Sequence, residues 1–382
     1  MKVLIISVWY PSKVNPFPGV FVKEFAGAIA AFAETVVLNV SPVEKEDIKL
    51  CGLSDVMEDK VRVVRIYYRK VPLVHKITGI FQYLKGLKYL KAQGFKPDLV
   101  NAHVNYSAVP AILSAYTAST PLVITEHSTE FLKAGGPGFL AGKIYAAVAN
   151  KANLIMPVSR YLLEAMKPYN KRAVYQIFPN IFDPAVFYYK KDSSPGEEKK
   201  LLFVGALIER KGLDFLLKAF AGVEQKNIIL NIVGEGPKRR EYEELAKKLE
   251  ISTRVNFCGH KEHKEIAELM QGSDLYVHGS SSETFGCVLM EAMACGLPVA
   301  ATRVGGVPEV VDEDSGILVP FGNIEAFKAA IQNILSNPGK YNRLKIAQSA
   351  FNRFSRLKAG VRLHEIFKKV IETSLTGEAA KK

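Results

Sequence analysis

The sequence predicts an α/β protein built from two Rossmann-like domains with parallel sheets. Short apolar segments alternate with helical segments along the whole chain, and this alternation is typical of parallel sheets covered by helices on both faces. The chain has 382 residues, of which 48% are hydrophobic, so each of two domains can have its own core. A charged stretch with Pro, Gly and Ser, residues 190–200, separates the halves and is typical of a connecting loop.

The predicted strands are bounded by turn signals and rich in Val, Ile and Leu. In the first half they are Lys2–Val8, Thr35–Val40, Val61–Tyr67, Asp98–Ala102, Leu122–Thr125 and Leu154–Val158. In the second half they are Leu201–Val204, Ile228–Val233, Val255–Cys258, Leu275–Val277 and Pro298–Ala301. In an open sheet of this kind, ligands bind beyond the carboxyl ends of the strands, so the loops there are the candidate site.

Residues 283–309 carry the most specific pattern in the chain. Glu283 and Glu291 are separated by seven residues, and a helix that starts near Gly286 holds Glu291 in its second turn. The start of a helix offers free backbone N–H groups to a diphosphate. A carboxylate accepts hydrogen bonds from neighbouring sugar hydroxyls. An apolar strand, Leu297–Thr302, and a turn at Gly305 follow. The pattern predicts a site for a sugar nucleotide.

This run resembles the C-terminal signature of family 4 glycosyltransferases, E-x7-E followed by G-x-P-V and G-G-x-x-E. Residues 178–187 resemble the family's P-N-G-V-D-x-x-x-F segment, with Ile181 in place of glycine, and residues 201–212 resemble its strand, glycine turn and K-G. The resemblance implies the GT-B fold, in which the two parallel sheets face each other across a cleft. It implies an acceptor-binding domain at 1–183, a donor-binding domain at 184–354, and a last helix, about 355–382, that packs back onto the first domain.

The resemblance also implies roles for individual residues. Lys211 matches the family's diphosphate lysine. Many members carry Arg directly after the glycine of the turn where this chain has Ala206, and the adjacent Arg210 can supply that charge in bidentate form. The expected catalytic residues are His127, Glu283, Lys211 and Arg210, and the expected donor-binding residues are Gly19, Gly205, Gly234, Gly236, Phe285, Gly286 and Glu291.

Two of these assignments have a simpler alternative. Gly19 precedes a helix with Phe21, Phe25 and Ile29 at core spacing, and a lone glycine there is more often just a turn. In the family, this loop closes over the donor diphosphate. A histidine at a strand end is usually a polar residue with a satisfied partner. His127 matches the family's histidine that contacts the transferred sugar, and His103 is a weaker candidate for the pocket wall.

No metal or organic cofactor is expected. Asp312 and Asp314 form a D-x-D, but the resemblance places them in a surface loop, and helix dipoles with basic side chains can neutralise a departing diphosphate. Residues 233–240 begin like a dinucleotide fingerprint, yet Arg239 stands where the third glycine belongs. The nucleotide sugar therefore acts as a co-substrate, with a UDP, GDP or ADP base all compatible with these residues.

Charged residues are unevenly distributed along the sequence. The chain has a net charge of +13, and residues 60–97 hold ten basic residues and no acidic one. Lys85, Lys88 and Lys91 alternate there with an apolar stripe at helical spacing. A solvated helix packed on its own sheet explains the stripe. The absence of acids instead favours attraction to anionic lipid or to a lipid-diphosphate acceptor. The apolar stripe comprises Ile80, Phe81, Leu84, Leu87 and Leu90.

The remaining features favour a cytoplasmic protein, either free or peripheral on the inner face of the plasma membrane. The first residues predict a β-strand rather than a signal peptide, and no apolar run is long enough to cross a bilayer. The cysteines lack metal-ligand spacing and are expected to be reduced and mostly buried. They are Cys51, Cys258, Cys287 and Cys295.

The expected function is a retaining glycosyltransferase that moves a hexose-type sugar to a glycan, lipid or lipid-linked acceptor, in cell-envelope or exported polysaccharide synthesis. Two alternatives are a non-catalytic protein that binds nucleotide sugars and a nucleic-acid-binding protein. The non-catalytic protein would keep the same binding residues, so only a measurement of turnover distinguishes it from the enzyme. The second has only the net charge in its favour, without aromatic-rich RNA or DNA motifs, so no nucleic-acid partner is expected.

Overall fold

A computed structural model describes residues 1–12, 19–71, 74–133, 136–191, 198–225 and 227–376. The strands are β1 (Lys2–Ser7), β2 (Glu34–Val43), β3 (Gly52–Glu58), β4 (Val61–Arg69), β5 (Leu99–His103), β6 (Leu122–Glu126), β7 (Leu154–Pro157), β8 (Lys199–Val204), β9 (Ile228–Val233), β10 (Val255–Gly259), β11 (Leu275–His278), β12 (Val299–Thr302) and β13 (Gly316–Val319).

The α-helices occupy most of the connections between strands. They are α1 (Val20–Ala30), α2 (His75–Ala92), α3 (Asn105–Leu113), α4 (Phe139–Ala149), α5 (Arg160–Met166), α6 (Leu213–Ala221), α7 (Arg239–Lys248), α8 (His263–Gln271), α9 (Cys287–Ala294), α10 (Val307–Val310), α11 (Ile324–Ser336), α12 (Arg343–Phe354) and α13 (Arg356–Leu375). Within the described part of the chain, no helix is both long and apolar enough to span a membrane.

The chain divides into two compact units, each with its own sheet. Unit 1 comprises Met1–Ile181 and Arg356–Lys382, and unit 2 comprises Phe182–Ser355. From the sequence, the division was expected between residues 183 and 184. The charged stretch predicted as the connecting loop lies partly outside the described residues, at 192–197. The predicted α/β class with two parallel sheets is confirmed.

The sheet of unit 1 has the order β3-β4-β2-β1-β5-β6-β7. All neighbours pair in parallel except β3, which pairs with β4 in an antiparallel hairpin from Glu58–Val61 to Gly52–Tyr67. The prediction of a purely parallel sheet missed β3. Its sequence, GLSDVME, is polar and largely exposed, because an edge strand needs little apolar surface.

The helix α1 packs the core of unit 1 on one side of this sheet. Its buried residues are Val22, Phe25, Ala26, Ala28 and Ile29. The predicted stripe included Phe21, but that ring is only partly buried at the edge of the core. The helix α13 lies against α1, and Arg356 Nη1 is 3.4 Å from Glu24 Oε2.

The sheet of unit 2 has the order β10-β9-β8-β11-β12-β13, and all its neighbours are parallel. Strand β13, with the sequence GILV, was absent from the predicted set. Strand order reverses between β8 and β11. Chains that leave two such strands diverge to opposite faces and open a crevice at their carboxyl ends, where ligands of open α/β sheets bind.

Candidate active site

The loops after β8 and β11 carry the predicted residues of unit 2 to this crevice. Arg210 and Lys211 follow β8, in a short 3₁₀ turn at Glu209–Lys211. Glu283 follows β11, five residues beyond the end of the strand at His278. Because β8 and β11 are adjacent and parallel, residues 72 positions apart in sequence meet at one edge. The sheet order therefore brings the predicted cations to the predicted carboxylate.

The Glu283 carboxylate is almost fully buried and surrounded by donors. Lys211 Nζ forms a short ion pair with Glu283 Oε1. Ser280 Oγ donates to the same oxygen at 3.0 Å, and His278 Nε2 lies 3.4 Å from it. The other oxygen, Oε2, lies 3.8 Å from Arg210 Nη1. The hydrogen bond from Ser280 and the close contacts from Lys211 and His278 are therefore concentrated on Oε1.

Glu283 is ionised in this environment. Burial by itself raises the pKa of a carboxyl group, but the Lys211 charge and the hydrogen bonds from His278 and Lys211 outweigh burial and hold the pKa of Glu283 well below its usual range. Burial lowers the pKa of His278, and Glu283 only partly opposes that shift. The lowered pKa values of both groups indicate that His278 is neutral and Glu283 is ionised.

Backbone contacts fix the loop that carries Glu283. Gly306 N donates to Glu283 O at 3.1 Å, and Thr302 Oγ1 donates to Ser280 O at 2.5 Å. Gly305 has a φ of 53°, and a Cβ at this position would lie 1.8 Å from Glu283 O. The absence of a side chain at Gly305 therefore allows the backbone of residues 305–306 to pack directly against the Glu283 carbonyl.

Helix α9 begins at Cys287, which confirms the helix start predicted near Gly286. Gly286 is its N-cap residue, with a φ of 94°, and the first turn contains no acidic side chain. Glu291 lies in the second turn and is half-buried. Phe285 is buried, and its ring packs edge-on against Phe354 with centroids 5.6 Å apart. Helix α9 thus begins four residues after Glu283, and a helix N-terminus of this kind favours an anion nearby.

The glycines after β8 and β9 allow two backbones to touch. A Cβ on Gly234 would lie 1.9 Å from Gly205 O, and a Cβ on Gly236 would lie 2.4 Å from Leu207 O. Leu207 N also donates to Glu235 O at 2.9 Å. Packing of one loop on the other accounts for Gly234 and Gly236, and it places both glycines beside the turn that carries Lys211.

In unit 1, His127 directly follows β6 and is buried in a chain of polar side chains. Its Nε2 is 3.0 Å from His103 Nδ1, and its Nδ1 is 2.9 Å from Asn180 Oδ1. His103 Nε2 in turn lies 3.1 Å from Asn101 Oδ1. Burial lowers the pKa of His127 to about 3, with the Asn180 hydrogen bond acting in the opposite direction. Both ring nitrogens of His127 are therefore engaged inside unit 1.

The aromatic ring of Phe21 covers His127, with centroids 4.3 Å apart. Phe21 is the second residue of α1, whose N-cap is Gly19. Gly19 has a φ of 83°, and its backbone lies against the carbonyl of Trp9. The structure thus brings Gly19 and His127, 108 positions apart in the chain, into one neighbourhood of unit 1. Residues 13–18, which precede Gly19, lie outside the described part of the chain.

Glu126 is a buried carboxyl group that the sequence analysis missed. It accepts hydrogen bonds from the backbone N–H groups of Asn105, His127 and Ser128 at 2.8 to 3.0 Å. Burial raises the pKa of Glu126 to about 7, although these N–H groups lower it. The adjacent Val104 has a φ of 61°, which is strained for a β-branched residue. Backbone strain of this kind accumulates at functional sites, and this one lies beside His103.

Other missed residues are polar side chains at strand ends. His278 ends β11, Ser280 follows it, and Asn180 belongs to the P-N segment. The signal for His278 was a polar residue that ends a buried strand, the same signal that identified His103 and His127. Neither ring nitrogen of His278 has a hydrogen bond of normal geometry among the described residues.

The D-x-D motif has a local structural role. Asp312 Oδ1 accepts hydrogen bonds from Ser315 N at 3.0 Å and from Ser315 Oγ at 2.6 Å, and Asp312 Oδ2 lies 3.4 Å from Arg353 Nη1. In the described residues, no three His, Cys, Asp or Glu side chains are grouped as metal ligands.

The basic segment is partly neutralised by acids from outside it. The strand β3 and the turn before it supply these carboxylates to three of the ten basic residues. The pairs are Arg62 with Asp55 at 2.6 Å, Arg65 with Glu58 at 2.6 Å, and Lys70 with Glu44 at 2.7 Å. Phe81 was expected in the packed stripe of α2, but it is exposed, whereas Tyr83, Leu87 and Leu90 of that helix are buried.

The cysteines are free, but the expectation that most are buried is wrong. Only Cys295 is buried, whereas Cys51 is exposed and the other two are intermediate.

Comparison with known proteins identifies the family. Residues 187–350 match the family described as Glycosyl transferases group 1, and residues 20–186 match the one described as Glycosyltransferase Family 4. The N-acetyl-alpha-D-glucosaminyl L-malate synthase of Bacillus anthracis is 30% identical over 334 residues, which cover 80% of this chain and 86% of that protein. The chain belongs to the group 1 glycosyltransferases.

A second relative of this glycosyltransferase is longer than the chain. It is a phosphatidylinositol N-acetylglucosaminyltransferase subunit of Homo sapiens, 29% identical over 272 residues, or 67% of this chain. The matched region spans about half of the human protein, 54% of its length.

Solved structures establish the GT-B fold of the glycosyltransferase. Sucrose-phosphate synthase from Thermosynechococcus elongatus has a TM-score of 0.82 at 22% identity and covers 97% of this chain and 99% of its own. Anabaena HepE in complex with UDP-glucose has a TM-score of 0.75 at 20% identity and covers 97% of this chain and all, 100%, of its own. These identities are too low to carry a substrate, so the likeness establishes the fold alone.

Proposed function

We propose that this glycosyltransferase transfers a hexose-type sugar from a nucleoside-diphosphate donor, with retention of anomeric configuration, to a glycan, lipid or lipid-linked acceptor. The observation that carries the proposal is the Lys211–Glu283 ion pair at the β8/β11 crevice, next to Arg210 and to the start of α9. In this proposal, unit 2 binds the donor and unit 1 binds the acceptor.

The donor assignment rests on complementary charge. A departing nucleoside diphosphate develops negative charge, which Arg210, Lys211 and the N–H groups at the start of α9 can stabilise. Arg210 is well suited to a bidentate contact because its guanidinium, partly exposed, is held in place by a 2.9 Å hydrogen bond to Ser282 O. Glu291, one turn into α9, is the proposed partner of the ribose hydroxyls. The UDP-glucose complex of Anabaena HepE supports a donor of this class.

Glu283 is proposed to hold the transferred sugar rather than to attack it. Its Oε1 is occupied by Lys211, Ser280 and His278, and a carboxylate stabilised in this way is a weak nucleophile. Its Oε2 remains available to hydroxyl groups. This arrangement supports a front-face route to retention, in which a phosphate oxygen of the donor accepts the proton of the acceptor hydroxyl. The cations then stabilise the leaving diphosphate without a metal ion.

His127 is proposed to contact the transferred sugar. Its side chain makes two hydrogen bonds inside unit 1, so contact with the sugar requires exchange of the Asn180 partner or uses the backbone of residues 127–128. Glu126 orders that backbone by accepting two of its N–H groups. Family membership favours catalysis over the alternatives of a non-catalytic sensor and a nucleic-acid-binding protein.

The proposed acceptor is a glycan, a lipid or a lipid-linked molecule. A lipid or lipid-linked acceptor is supported by the name of the human relative, which includes phosphatidylinositol. The remaining cations of residues 60–97 also support it. A role in cell-envelope or exported polysaccharide synthesis follows as part of the proposal, with a cytoplasmic or peripheral membrane location.

A donor screen tests the proposal. Thermal midpoints are measured with UDP-, GDP- and ADP-sugars, and the stabilising donor is then offered with glycan and lipid acceptors while product anomers are assigned by NMR. At a donor concentration 100 times Kd, stabilisation of about 2.7 kcal/mol is expected. The Lys211→Met variant should lose most of this stabilisation, and Lys218→Met, exposed on α6, is the matched control. Absence of stabilisation by every donor, or an inverted product, contradicts the proposal.

A further inference from the structure

Large apolar side chains are exposed at the start of α4. Phe139 is 80% exposed and Leu140 71% exposed, and Ile144 in the next turn is also exposed. Lys143 Nζ lies 4.3 Å from the centre of the Phe139 ring. Burial of apolar surface makes the largest favourable contribution to folding and binding, so two adjacent side chains held this far out of the core indicate a contact with something other than water.

Helix α2 has a second group of the same character. Ile77 is 58% exposed and Phe81 64% exposed. The spacing from Ile77 to Phe81, Lys85 and Lys88 is four, four and three residues, which places all four on one stripe of the helix. Lys85 and Lys88 are exposed as well. The outward stripe of α2 is therefore apolar in its first half and basic in its second.

Helices α2 and α4 belong to one face of unit 1. The helix α3 contacts both of them. Each follows a strand of the parallel set, β4 and β6, so both begin at the carboxyl edge of the sheet. The two exposed apolar groups are thus near the same edge, which is also the edge of His127. We call this surface the α2–α4 face: the apolar residues Ile77, Phe81, Phe139, Leu140 and Ile144 with Lys85, Lys88, Lys91 and Lys143.

The charge of the α2–α4 face is of one sign. The sequences of α2, α3 and α4 contain no Asp or Glu. Among the described residues, none of Lys85, Lys88, Lys91 and Lys143 forms an ion pair, whereas several lysines elsewhere on unit 1 have a carboxylate within 4 Å. Helices α1 and α13, which pack together elsewhere in unit 1, do contain acids, such as Glu24 and Glu365. Solubility alone favours interspersed charges, so the acid-free face is specific.

We propose that the α2–α4 face docks on an anionic phospholipid bilayer, with its aromatic and aliphatic side chains in the interfacial zone and its lysines at the headgroup phosphates. Apolar residues combined with lysines at their border are the composition of interfacial membrane-binding surfaces. The centres of protein–protein interfaces are instead depleted in Lys, which disfavours a second protein as the occupant. The docked face would bring the carboxyl edge of unit 1 close to a lipid acceptor.

This inference extends the proposed function by naming the surface on which a lipid acceptor is met. Vesicle binding needs neither a donor nor sugar transfer. Vesicle binding can therefore fail while sugar transfer succeeds, and sugar transfer can fail while vesicle binding succeeds. Donor stabilisation of the thermal midpoint is therefore measured in parallel with each vesicle experiment. A variant of the α2–α4 face should keep the donor effect unchanged.

The test is co-sedimentation of the whole chain with sucrose-loaded vesicles of phosphatidylglycerol and phosphatidylcholine, or of phosphatidylcholine alone. The apolar variant is Phe139→Ser with Leu140→Ser, and the basic variant replaces Lys85, Lys88 and Lys91 by Glu. The control is Leu357→Ser with Leu375→Ser, exposed apolar residues of α13 outside the α2–α4 face. All changed side chains are exposed, so thermal midpoints should stay close to that of the unchanged chain.

Binding to phosphatidylglycerol vesicles is expected at low salt, with each of the two face variants weakened about tenfold or more and the control unchanged. Binding should weaken at 1 M salt, where the Debye length is about 3 Å. The proposal is overturned if the apolar variant binds like the unchanged chain, or if vesicles of phosphatidylcholine alone bind equally well. It is also overturned if the unchanged chain self-associates through Phe139 without vesicles.

Discussion

Lys211 and Glu283 form a buried ion pair across the carboxyl ends of two adjacent parallel strands. The residues are 72 positions apart. The pair has unequal members, because the Glu283 side chain is 9% exposed and the Lys211 side chain 17% exposed. Replacing Lys211 and replacing Glu283 should therefore have different effects, and the pair allows a direct test of the site.

We expect Lys211→Met to destabilise the protein by about 3 to 5 kcal/mol, because it leaves the Glu283 charge buried without its main partner. Glu283→Gln should cost less, since the longer Lys211 side chain can turn its ammonium toward water. The double variant should be more stable than Lys211→Met alone. Urea unfolding of the four proteins measures these differences. Strictly additive effects would show that the two side chains do not interact.

Lys211→Met should also lower turnover by about 10² or more, as loss of a charge that stabilises the leaving group does. The double variant recovers stability but not activity. Steady-state kinetics at a temperature below the unfolding transition of every variant separates the two effects. Recovery of turnover in the double variant would argue against a direct role for Lys211.

Glu291→Ala should weaken the binding of the free nucleoside diphosphate by about 10- to 150-fold, the loss of one charged hydrogen bond of 1.5 to 3 kcal/mol. Glu283→Ala should leave that affinity nearly unchanged and lower turnover of the intact donor, because the proposed role of its carboxylate is to hold the transferred sugar. Calorimetry with the nucleotide alone, followed by kinetics with the donor, distinguishes the two glutamates. An unchanged nucleotide affinity in Glu291→Ala removes the ribose role.

Gly305→Ala should disturb the support of Glu283. The added Cβ would lie 1.8 Å from Glu283 O, and the φ of 53° is unfavourable for alanine. We expect a loss of at least about 1 kcal/mol in stability together with a higher KM for the donor. Gly339→Ala is the control, because a Cβ there meets no atom within 4 Å. Equal effects of the two substitutions would show that the close contact does not matter.

Activity should survive excess EDTA, because in the proposed site Arg210, Lys211 and the α9 N-terminus stabilise the charge of the leaving diphosphate. Asp312 already uses its carboxylate on Ser315 and Arg353. The assay compares initial rates after EDTA treatment with rates after addition of Mg²⁺ or Mn²⁺. Complete loss that either ion restores would refute this expectation.

His127 should make the protein less stable in acid. Its folded pKa of about 3 lies below the ordinary value of 6.5, so the folded protein binds this proton less readily than the unfolded chain. The stabilisation it provides is present above pH 6.5 and is lost as the pH falls toward 3, by at most about 1.4 kcal/mol per pH unit. The stability gap between the unchanged chain and His127→Asn should therefore narrow from pH 7.5 to pH 4.5.

The exposed His260 provides the control for this measurement. The gap between the unchanged chain and His260→Asn serves as the comparison, because the His260 side chain is exposed whereas that of His127 is buried. Thermal midpoints at matched ionic strength give both gaps. A His127→Asn gap that is constant with pH would show that the imidazole is not kept neutral by burial.

Much of the fold followed from local pattern. The alternation of apolar strands and amphipathic helices predicted two parallel sheets, and the E-x7-E run predicted both the family and a helix start near Gly286; the structure and the comparisons confirm these predictions. Such features depend on residues close in sequence, and periodicity records them directly. Strand β3 escaped because an exposed edge strand lacks an apolar period.

Contacts between distant segments were decided only by the tertiary structure. Sheet order brought Lys211 to Glu283 and joined His127 to His103. Phe81 fits the apolar spacing of α2 but projects outward. The sequence by itself determined which elements form and which residue types end the strands. The contacts between side chains depended on which strands are neighbours and how the helices are oriented. Both are set by the packing of the whole unit, so local periodicity in the sequence does not predict them.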